Sequence, residues 1–425
     1  MKIVFFVHYF PPINSAGAKR VEALVKYLVP LGNEVTVITT SKSRRDGDFT
    51  ESYPKNIDVI EINWLGKLKS SDPSEGKFEP MYIHGASWRR KIKDKIYEIC
   101  GQIPDPRLPF AFAILSPWLS SRAKFALSNA DVVIGSSPPW PTLLAALFAK
   151  WRFGPKCILD YRDHFSQCHE VPGSGLAKIM ENYMDRALAR RADHVVVISE
   201  PMALYYAKMN CKLSTIYNGF DGGLMSLARC DVFDSSGQKI IISHMGTISP
   251  GRIPHSVLNA LTTLRLVQPE FFNRFRLEFY GAAGLLELEL DHKYSAIKSA
   301  FHFLPALSYA DSLKRMHESN YLLFSETSCN ESLSAQGILP TKLFEYIGSG
   351  RPVLANISRN TLAGKLLLKY SKGSIIADNP DDLFAAFLES DFYICKSSSF
   401  SHGVHPLSRE SQALEYFNVI KLVNK

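Results

Sequence analysis

Apolar runs and amphipathic segments alternate from the first residues of the chain. Lys2–Val7 is a continuous β-rich run, which is typical of a strand buried on both faces of a sheet. Apolar residues then recur at helical spacing over residues 21–31, and Gly32 with Asn33 ends that helix. Glu34–Thr40 is a second β-rich run. This order predicts a βαβ unit, and therefore a parallel sheet with a right-handed crossover.

The alternation continues after residue 130 in two further series. The first predicts strands at 131–135, 157–161, 194–199 and 213–217, with helices at 142–150 and 176–191. Residues 218–238 are rich in Gly, Ser and Asp, which is typical of a linker or a domain edge. The second series predicts strands at 239–245, 276–280, 321–325 and 352–355, with helices at 254–267, 308–319, 341–349 and 379–389.

These series predict an α/β protein with two halves, each built on its own parallel sheet. The N-terminal domain covers 1–217 and the C-terminal domain covers 239–407, with 218–238 as the linker. We expect the last segment, 408–425, to form one amphipathic helix that packs back on the N-terminal domain. Ligands of open α/β sheets bind beyond the carboxyl ends of the strands. Two such domains facing each other therefore predict an interdomain cleft lined by strand-end loops.

Composition and charge narrow the class of protein. The 425 residues are 46% hydrophobic and 21% charged, which excludes disordered, collagen-like and low-complexity classes. A formal net charge of +8 is too small to indicate a nucleic-acid partner. The seven cysteines are scattered without a C-x-x-C pair, which argues against a disulfide framework and a zinc site. No apolar run is long enough to span a membrane and no secretory signal is evident, so we expect a cytoplasmic protein.

The loop after the first strand is a candidate binding element. It carries prolines followed by Ser15, Ala16 and Gly17. Glycine lets the backbone approach a ligand closely, and the helix N-terminus behind it presents free N–H groups with a partial positive charge. A proline-stiffened turn without a ligand is the alternative. The loop lacks a G-x-G-x-x-G pattern, so a dinucleotide site and a dehydrogenase are poorly supported.

Four ionisable residues lie within the segment 160–164, at the end of a predicted strand. Strand alternation puts Asp160, Arg162 and His164 on one side and Asp163 on the other. Such a cluster is stable only if its charges are paired or lie in a wet cleft. We therefore consider two interpretations, a structural Asp–Arg pair and a cleft role for Asp163 and His164.

A glycine-rich turn follows the strand 239–245. Gly246 and Thr247 are followed in the same loop by Arg252, and Gly281 closes a later strand similarly. A glycine-rich turn with one Arg at the carboxyl end of a strand suits an anionic phosphate, because Arg can donate two N–H groups to it. This turn is therefore a candidate phosphate site.

The stretch GILPTKLFEYIGSGRPVLA is the most informative segment. Pro340 and Thr341 are predicted to open a helix with an N-cap hydroxyl. The backbone N–H groups after Thr341, at Lys342 and Leu343, form a candidate anion site with the Lys342 ammonium. Glu345 lies about one turn further on, where a carboxylate can bind two adjacent ribose hydroxyls. A phosphate binder beside a diol binder indicates a nucleotide, whereas a capped helix with exposed Lys and Glu is the alternative.

Several segments, taken in order and spacing, resemble the retaining glycosyltransferases of family 4, which have the GT-B fold. They are YFPPINSAGAKR, LVPLGNEVTVIT, SSPPWPTLLAAL, ILDYRDHF, RADHVVVISEPM, IYNGFDG, MGTISPGR and LPTKLFEYIGSGRPVLA. ILDYRDHF and KLFEYIGSGRPVLA are similar to the branch that builds bacterial surface polysaccharides such as O-antigen and capsule. The resemblance implies two Rossmann-like domains facing a cleft. It also implies a hexosyltransferase-type reaction, in which a sugar moves from a nucleotide sugar to a saccharide acceptor on a lipid carrier.

The resemblance implies roles for single residues as well. The C-terminal domain holds the donor, Arg252 occupies the position of the family's diphosphate-binding Lys, and Glu345 that of its ribose-binding Glu. Gly17 belongs to the acceptor-side loop facing the donor phosphates, and Asp163 lies near the reacting sugar. Neither a metal nor a dinucleotide cofactor is implied. Without an obvious protein nucleophile, the leaving diphosphate takes the acceptor's proton, and we expect Arg252 and Lys342 to stabilise it.

Two positions depart from the family pattern. Gly337 stands where many members have the first of two glutamates, and Thr247 stands where many have a first basic residue. Glu326 and Glu331 are the carboxylates that we consider for contact with the donor sugar. Two other functions stay open, a non-catalytic nucleotide-sugar-binding or scaffolding subunit and a nucleotide-sugar epimerase of the same fold.

The segment 88–100, WRRKIKDKIYEIC, predicts a basic amphipathic helix. Its apolar residues fall on one helical face and are surrounded by Lys and Arg. Such a helix suits the anionic surface of the inner membrane, whereas a core-packing helix with a solvated basic face is equally compatible with the pattern.

Overall fold

The structure is a computed structural model that describes residues 1–42, 48–49, 52–63, 95, 99–103, 105–168, 173–228, 239–326, 337, 339–377, 379–388 and 405–425. The chain divides into two compact units. The first unit comprises Met1–Asn218 together with Arg409–Lys425, and the second comprises Gly219–Ser408.

A parallel sheet lies at the centre of each unit. The strands of the first unit are β1 (Lys2–Val7), β2 (Ile13–Asn14), β3 (Glu34–Thr40), β4 (Asp48–Phe49), β5 (Asp58–Ile62), β6 (Val132–Ser137), β7 (Lys156–Tyr161), β8 (His194–Val197) and β9 (Leu213–Thr215). Those of the second are β10 (Ile240–Met245), β11 (Phe275–Tyr280), β12 (Phe301–Leu304), β13 (Tyr321–Ser325), β14 (Val353–Asn356) and β15 (Ile375–Ile376). In the described residues the sheet orders are β5-β3-β1-β6-β7-β8-β9 and β12-β11-β10-β13-β14-β15, and β2 pairs with β4 antiparallel.

Helices connect the strands in both units. The first unit has α1 (Ala16–Leu28), α2 (Leu108–Ala113), α3 (Ser121–Ser128), α4 (Pro141–Phe153), α5 (Gly175–Arg191) and α6 (Glu200–Ala207). The second has α7 (Gly222–Ala228), α8 (His255–Val267), α9 (Pro269–Phe272), α10 (Gly284–Lys293), α11 (Tyr309–His317), α12 (Thr341–Ser349), α13 (Leu362–Tyr370) and α14 (Pro380–Leu388). The last helix, α15 (Arg409–Asn424), belongs to the first unit.

The sheet of the first unit is buried on both faces. Val4 and Phe6 of β1 belong to one apolar cluster, whereas Ile3 and Phe5 belong to another. This division follows from the alternation of side chains along a strand. The second cluster also contains residues of α1 and of α15, Val21, Leu24, Ala413, Tyr416 and Ile420. The C-terminal helix therefore completes the core on that face.

One apolar cluster fills a face of the second sheet. Ile240 and Ile242 of β10 pack there with Leu258 and Leu261 of α8. Leu383 of α14 is fully buried in the same cluster. The apolar stripe of each helix thus covers the strands beside it, as helix periodicity requires.

The α/β class with two parallel sheets is confirmed, but several local predictions are wrong. β7 ends at Tyr161 as predicted, so Arg162 and His164 lie beyond the strand, whereas β8 ends at Val197, two residues earlier than predicted. Gly17 lies in the first turn of α1 and not in a loop. At α12 the N-cap residue is Pro340, without a side-chain hydrogen bond, and Thr341 is already helical. A hydroxyl cap on Thr341 is therefore excluded.

Candidate functional site

The candidate site of the second unit is built on a glycine turn at the carboxyl ends of β10 and β11. Gly246 has a φ of 102° and Gly281 a φ of 130°, which residues with side chains rarely adopt. The Gly246 N–H donates to the Tyr280 carbonyl at 2.9 Å. A Cβ on Gly281 would lie 2.9 Å from the Gly246 carbonyl oxygen. Both glycines are therefore needed for the two turns to lie against each other, and Thr247 is exposed beside them.

Arg252 is the first cation of the site. It ends a short 3-10 turn, Pro250–Arg252, in the loop after β10. Its Nε donates to Oε2 of Glu326 at 2.7 Å. Glu326 directly follows β13 and its side chain is 6% exposed, whereas the Arg252 side chain is 29% exposed. The ion pair therefore joins two strand-end loops and leaves the guanidinium accessible.

Helix α12 brings a second cation to the same carboxylate. Nζ of Lys342 lies 4.0 Å from Oε1 of Glu326. The first amides of a helix have no intrahelical acceptor, so those of Thr341 and Lys342 add partial positive charge. The Leu343 amide behaves differently from our prediction, since it donates to the Pro340 carbonyl at 3.0 Å and its side chain is fully buried.

Burial and charge shift the pKa values of two groups in this cluster. Burial lowers the pKa of Lys342 to about 8, with Glu326 raising it and Arg252 lowering it further. Burial lowers the pKa of His244 to about 3, and Lys342 and Arg252 act in the same direction. Nδ1 of His244 lies 2.9 Å from the Leu323 carbonyl oxygen, so this nitrogen carries the proton of a neutral ring. The site therefore holds a titratable ammonium beside a neutral imidazole.

Glu345 and Tyr346 lie in α12, one turn after Lys342. Glu345 follows Lys342 by three residues, which places both on the same side of the helix, and it is 8% exposed. The hydroxyl of the fully buried Tyr346 accepts the Met245 N–H at 2.9 Å. This hydrogen bond fastens α12 to the end of β10, so Lys342 and Glu345 are held rigidly near the glycine turn.

In the first unit, Asp160 forms the structural Asp–Arg pair, but its partner is Arg20 and not Arg162. Nη2 of Arg20 lies 2.9 Å from Oδ1 of Asp160, and Nε lies 3.3 Å from Oδ2. The Ser136 hydroxyl donates to Oδ2 at 2.8 Å, and Nη1 of Arg20 donates to the Tyr217 carbonyl at 2.8 Å. The side chains of Arg20 and Asp160 are 6% and 1% exposed. The pair therefore joins α1 to β7 inside the unit.

Arg162 holds the start of α1. It donates to the Gly17 carbonyl, to the Pro138 carbonyl at 2.6 Å and to the Ser137 carbonyl at 3.2 Å. Ser15 caps the same helix, with its Oγ accepting the Ala18 N–H at 3.3 Å. Residues 15–17, predicted to be a loop, therefore form the N-terminus of α1, which these hydrogen bonds hold in place. Ala16 is the first residue of the helix.

Asp163 and His164 diverge beyond the end of β7. Asp163 is exposed. His164 is buried and stacks on Tyr206 with ring centroids 6.1 Å apart, and Tyr206 packs on Tyr161 at 4.5 Å. The prediction that His164 shares a face with Asp160 is therefore wrong, because the strand and its alternation end at Tyr161.

Neither a metal centre nor a membrane-spanning helix is found in the described residues. Among them, no group of three or more His, Cys, Asp or Glu is arranged to hold a metal ion. Likewise, no helix in the described part of the chain combines the length and hydropathy of a membrane span. The predicted basic helix 88–100 and Glu331 lie outside the described residues, except for Lys95, Ile99 and Cys100.

Sequence reasoning missed two contributors to these clusters and gave a third a different role. Arg20 gave no signal beyond its place on a helix, and its long-range partner Asp160 cannot be read from local spacing. His244 belonged to a β-rich run, where one histidine resembles a core residue. Glu326 was considered for sugar contact, but its position between two cations was not anticipated.

Comparison with solved structures shows the class of fold. Sucrose-phosphate synthase from Thermosynechococcus elongatus is 13% identical and covers 99% of this chain and 98% of its own, with a TM-score of 0.57. TarM from S. aureus, in complex with Fondaparinux, α-GlcNAc-glycerol and UDP, is 10% identical over 99% and 100% of the chains, with a TM-score of 0.56. WaaG, a glycosyltransferase involved in lipopolysaccharide biosynthesis, is 13% identical over 98% and 95%, with a TM-score of 0.52. These similarities define a GT-B fold.

A family model matches the first unit. Residues 15–219 match the model of the glycosyl transferase 4-like domain. The first unit therefore contains a glycosyl transferase 4-like domain, and the chain as a whole has the GT-B fold. No protein of curated function matches the sequence.

Proposed function

We propose that the protein is a retaining hexosyltransferase that moves a sugar from a nucleotide-sugar donor to a lipid-linked saccharide acceptor. The observation that carries the proposal is the meeting of Arg252 and Lys342 at one carboxylate beside the start of α12. Two cations at a helix N-terminus make an anion site of the strength that a diphosphate requires. Glu345, on the same helix, supplies the carboxylate for the ribose hydroxyls.

Arg252 and Lys342 contribute to the proposed reaction mainly through their positive charge. As the bond from the sugar to the diphosphate breaks, negative charge develops on the leaving oxygen. Arg252 and Lys342 stabilise that charge, and the diphosphate accepts the proton of the acceptor hydroxyl as the acceptor oxygen bonds to the anomeric carbon of the sugar. This role requires Lys342 to be protonated, which holds below its pKa of about 8. We place Asp163, which is exposed two residues beyond the end of β7, near the reacting sugar as a catalytic residue. The reaction as proposed uses neither a metal nor a dinucleotide.

The finer identity of the substrates rests on resemblance. TarM was solved with UDP, and WaaG acts in lipopolysaccharide biosynthesis. Together with the sequence motifs, these neighbours support a role in bacterial surface polysaccharide synthesis. We extend the proposal to peripheral attachment at the cytoplasmic face of the inner membrane through 88–100. Binding to anionic liposomes that high salt reverses is the expected result, and the absence of salt-sensitive binding would remove this extension.

A ligand screen tests donor binding first. Nucleoside diphosphates and their sugars are added to the intact protein, and thermal stability is followed. A bound ligand at 100 times its Kd stabilises the protein by about 2.7 kcal/mol. Each lost charge-assisted hydrogen bond weakens binding by about 1.5–3 kcal/mol, so Arg252→Ala and Lys342→Ala should each bind about tenfold to hundredfold more weakly. Lys298→Ala, at an exposed pair with Asp291, is the matched control.

Turnover then separates the candidate functions. A transferase forms product only when an acceptor is added, whereas an epimerase changes the nucleotide sugar without one. Nucleotide binding without turnover across a donor and acceptor panel would favour a non-catalytic subunit. Wild-type turnover in both Arg252→Ala and Lys342→Ala would contradict the assigned roles.

A further inference from the structure

The two cations of the donor site are already engaged by a residue of the chain itself. Arg252 Nε lies 2.7 Å from one oxygen of Glu326, and Lys342 Nζ lies 4.0 Å from the other. Glu326 is almost completely buried, while both cations are more exposed. The carboxylate therefore occupies the inner side of the site and uses donor groups that an incoming anion needs.

The charges of Arg252, Lys342 and Glu326 determine how an anion can bind beside them. Two cations and one carboxylate leave a net charge of +1, so an anion that enters beside Glu326 meets both attraction and repulsion. Opposite charges at this separation interact strongly when they are partly desolvated. An anion that replaces Glu326 at the cations gains both partners but must first break the existing ion pair. Every anion that binds by replacement meets the same cost, whatever its own charge.

We propose that Glu326 is a resident counter-ion that the donor's diphosphate displaces from Arg252 and Lys342. This inference rests on the proposed function, because it identifies the displacing group as the diphosphate of a nucleotide sugar. The exchange makes Glu326 a specificity-determining residue. The cost of breaking the ion pair is the same for every anion and prevents weak ligands such as inorganic phosphate from binding. A nucleotide makes further contacts that offset this cost. The donor site is thereby kept free of simple anions.

The test compares wild-type protein with Glu326→Gln, which keeps the shape of the side chain and removes its charge. Binding of inorganic phosphate, pyrophosphate, the best nucleoside diphosphate and its uncharged nucleoside is measured by calorimetry, with competition for weak ligands. Glu326 raises the pKa of Lys342, so its removal lowers that pKa, and the measurements are made at pH 6.5, below the wild-type value of about 8, to favour the protonated ammonium. Asp291→Asn, at the exposed pair with Lys298, is the matched control.

If anions displace Glu326, the Glu326→Gln substitution should raise the affinity of every anion by the same factor. We expect phosphate, pyrophosphate and the nucleoside diphosphate to bind about tenfold more tightly to Glu326→Gln, which corresponds to about 1.4 kcal/mol. The nucleoside should bind equally to both proteins, and Asp291→Asn should match wild type. A factor that grows with ligand charge would overturn the exchange, since it would mean that Glu326 stays in place. Weaker binding of every anion would also overturn it, because Glu326 would then serve to orient the cations.

The outcome is separable from the fate of the proposed function. Pyrophosphate and phosphate report on Glu326 even if no nucleotide sugar is a substrate. Conversely, a protein that transfers sugar but whose Glu326→Gln variant binds pyrophosphate no better than wild type would keep its function and lose this inference.

Discussion

Removing the negative charge of Asp160 should destabilise the first unit severely. Asp160→Asn keeps the size of the side chain but leaves the Arg20 guanidinium buried without its counter-charge. The pair is bidentate, with distances of 2.9 and 3.3 Å, and both side chains are less than a tenth exposed. Breaking a buried ion pair by removing one partner costs about 3–5 kcal/mol. The new amide oxygen can still accept the Ser136 hydroxyl, and the charged Arg20 guanidinium keeps its hydrogen bond to the Tyr217 carbonyl, so we expect the lower half of that range.

The tryptophans give an assay that is specific to this unit. All five are found in the first 151 residues of the sequence, and the second unit begins at Gly219. Trp140 is 1% exposed and should change its emission strongly on unfolding. For an m-value of about 3 kcal/mol per M of urea, a loss of 3 kcal/mol lowers the midpoint of the fluorescence transition by about 1 M.

The control is an exposed ion pair of the same unit. Arg122 and Asp58 form a salt bridge with side chains 55% and 48% exposed. Exposed pairs contribute at most about 1 kcal/mol, so Asp58→Asn should shift the midpoint by about 0.3 M or less. If Asp160→Asn shifted the midpoint no further than Asp58→Asn, the reasoning about the buried pair would be refuted.

Further predictions concern the second unit. The pKa of Lys342 is about 8 in the free protein, so diphosphate affinity should be constant below pH 7 and fall as the pH rises through 8. Calorimetry at a series of pH values should show this fall in wild type. Lys342→Arg, whose guanidinium stays charged, should show the same affinity throughout. Gly348→Ala would place a Cβ 2.4 Å from the Phe220 ring, so overpacking should lower the free energy of unfolding by about 1–3 kcal/mol. Gly284→Ala, whose Cβ meets nothing within 4 Å, should leave it unchanged by circular dichroism.

The central strands and their helices could be predicted from sequence because burial on both faces gives long apolar runs. β1, β3 and β13 have the predicted bounds. The sequence pattern did not predict β5, β12 and β15, and each of them lies at an edge of its sheet. Edge strands are short and partly exposed, so their apolar pattern is weak.

The site could be predicted only where its chemistry is local. Arg252, Lys342 and Glu345 were chosen from glycine turns and a helix start, and the structure brings Arg252 and Lys342 to the same carboxylate. The partners Arg20 and Asp160 are 140 residues apart, so no spacing rule connects them. The cap of α12 was misassigned because a Pro–Thr pair fits two registers, and Pro340 with its extended backbone takes the cap position.

The most direct test of the central claim is a crystal structure with a bound nucleoside diphosphate. The account predicts that the diphosphate contacts the Arg252 guanidinium, the Lys342 ammonium and the first amides of α12, with the ribose hydroxyls on Glu345. A nucleotide bound away from the Gly246 turn and from α12 would contradict it.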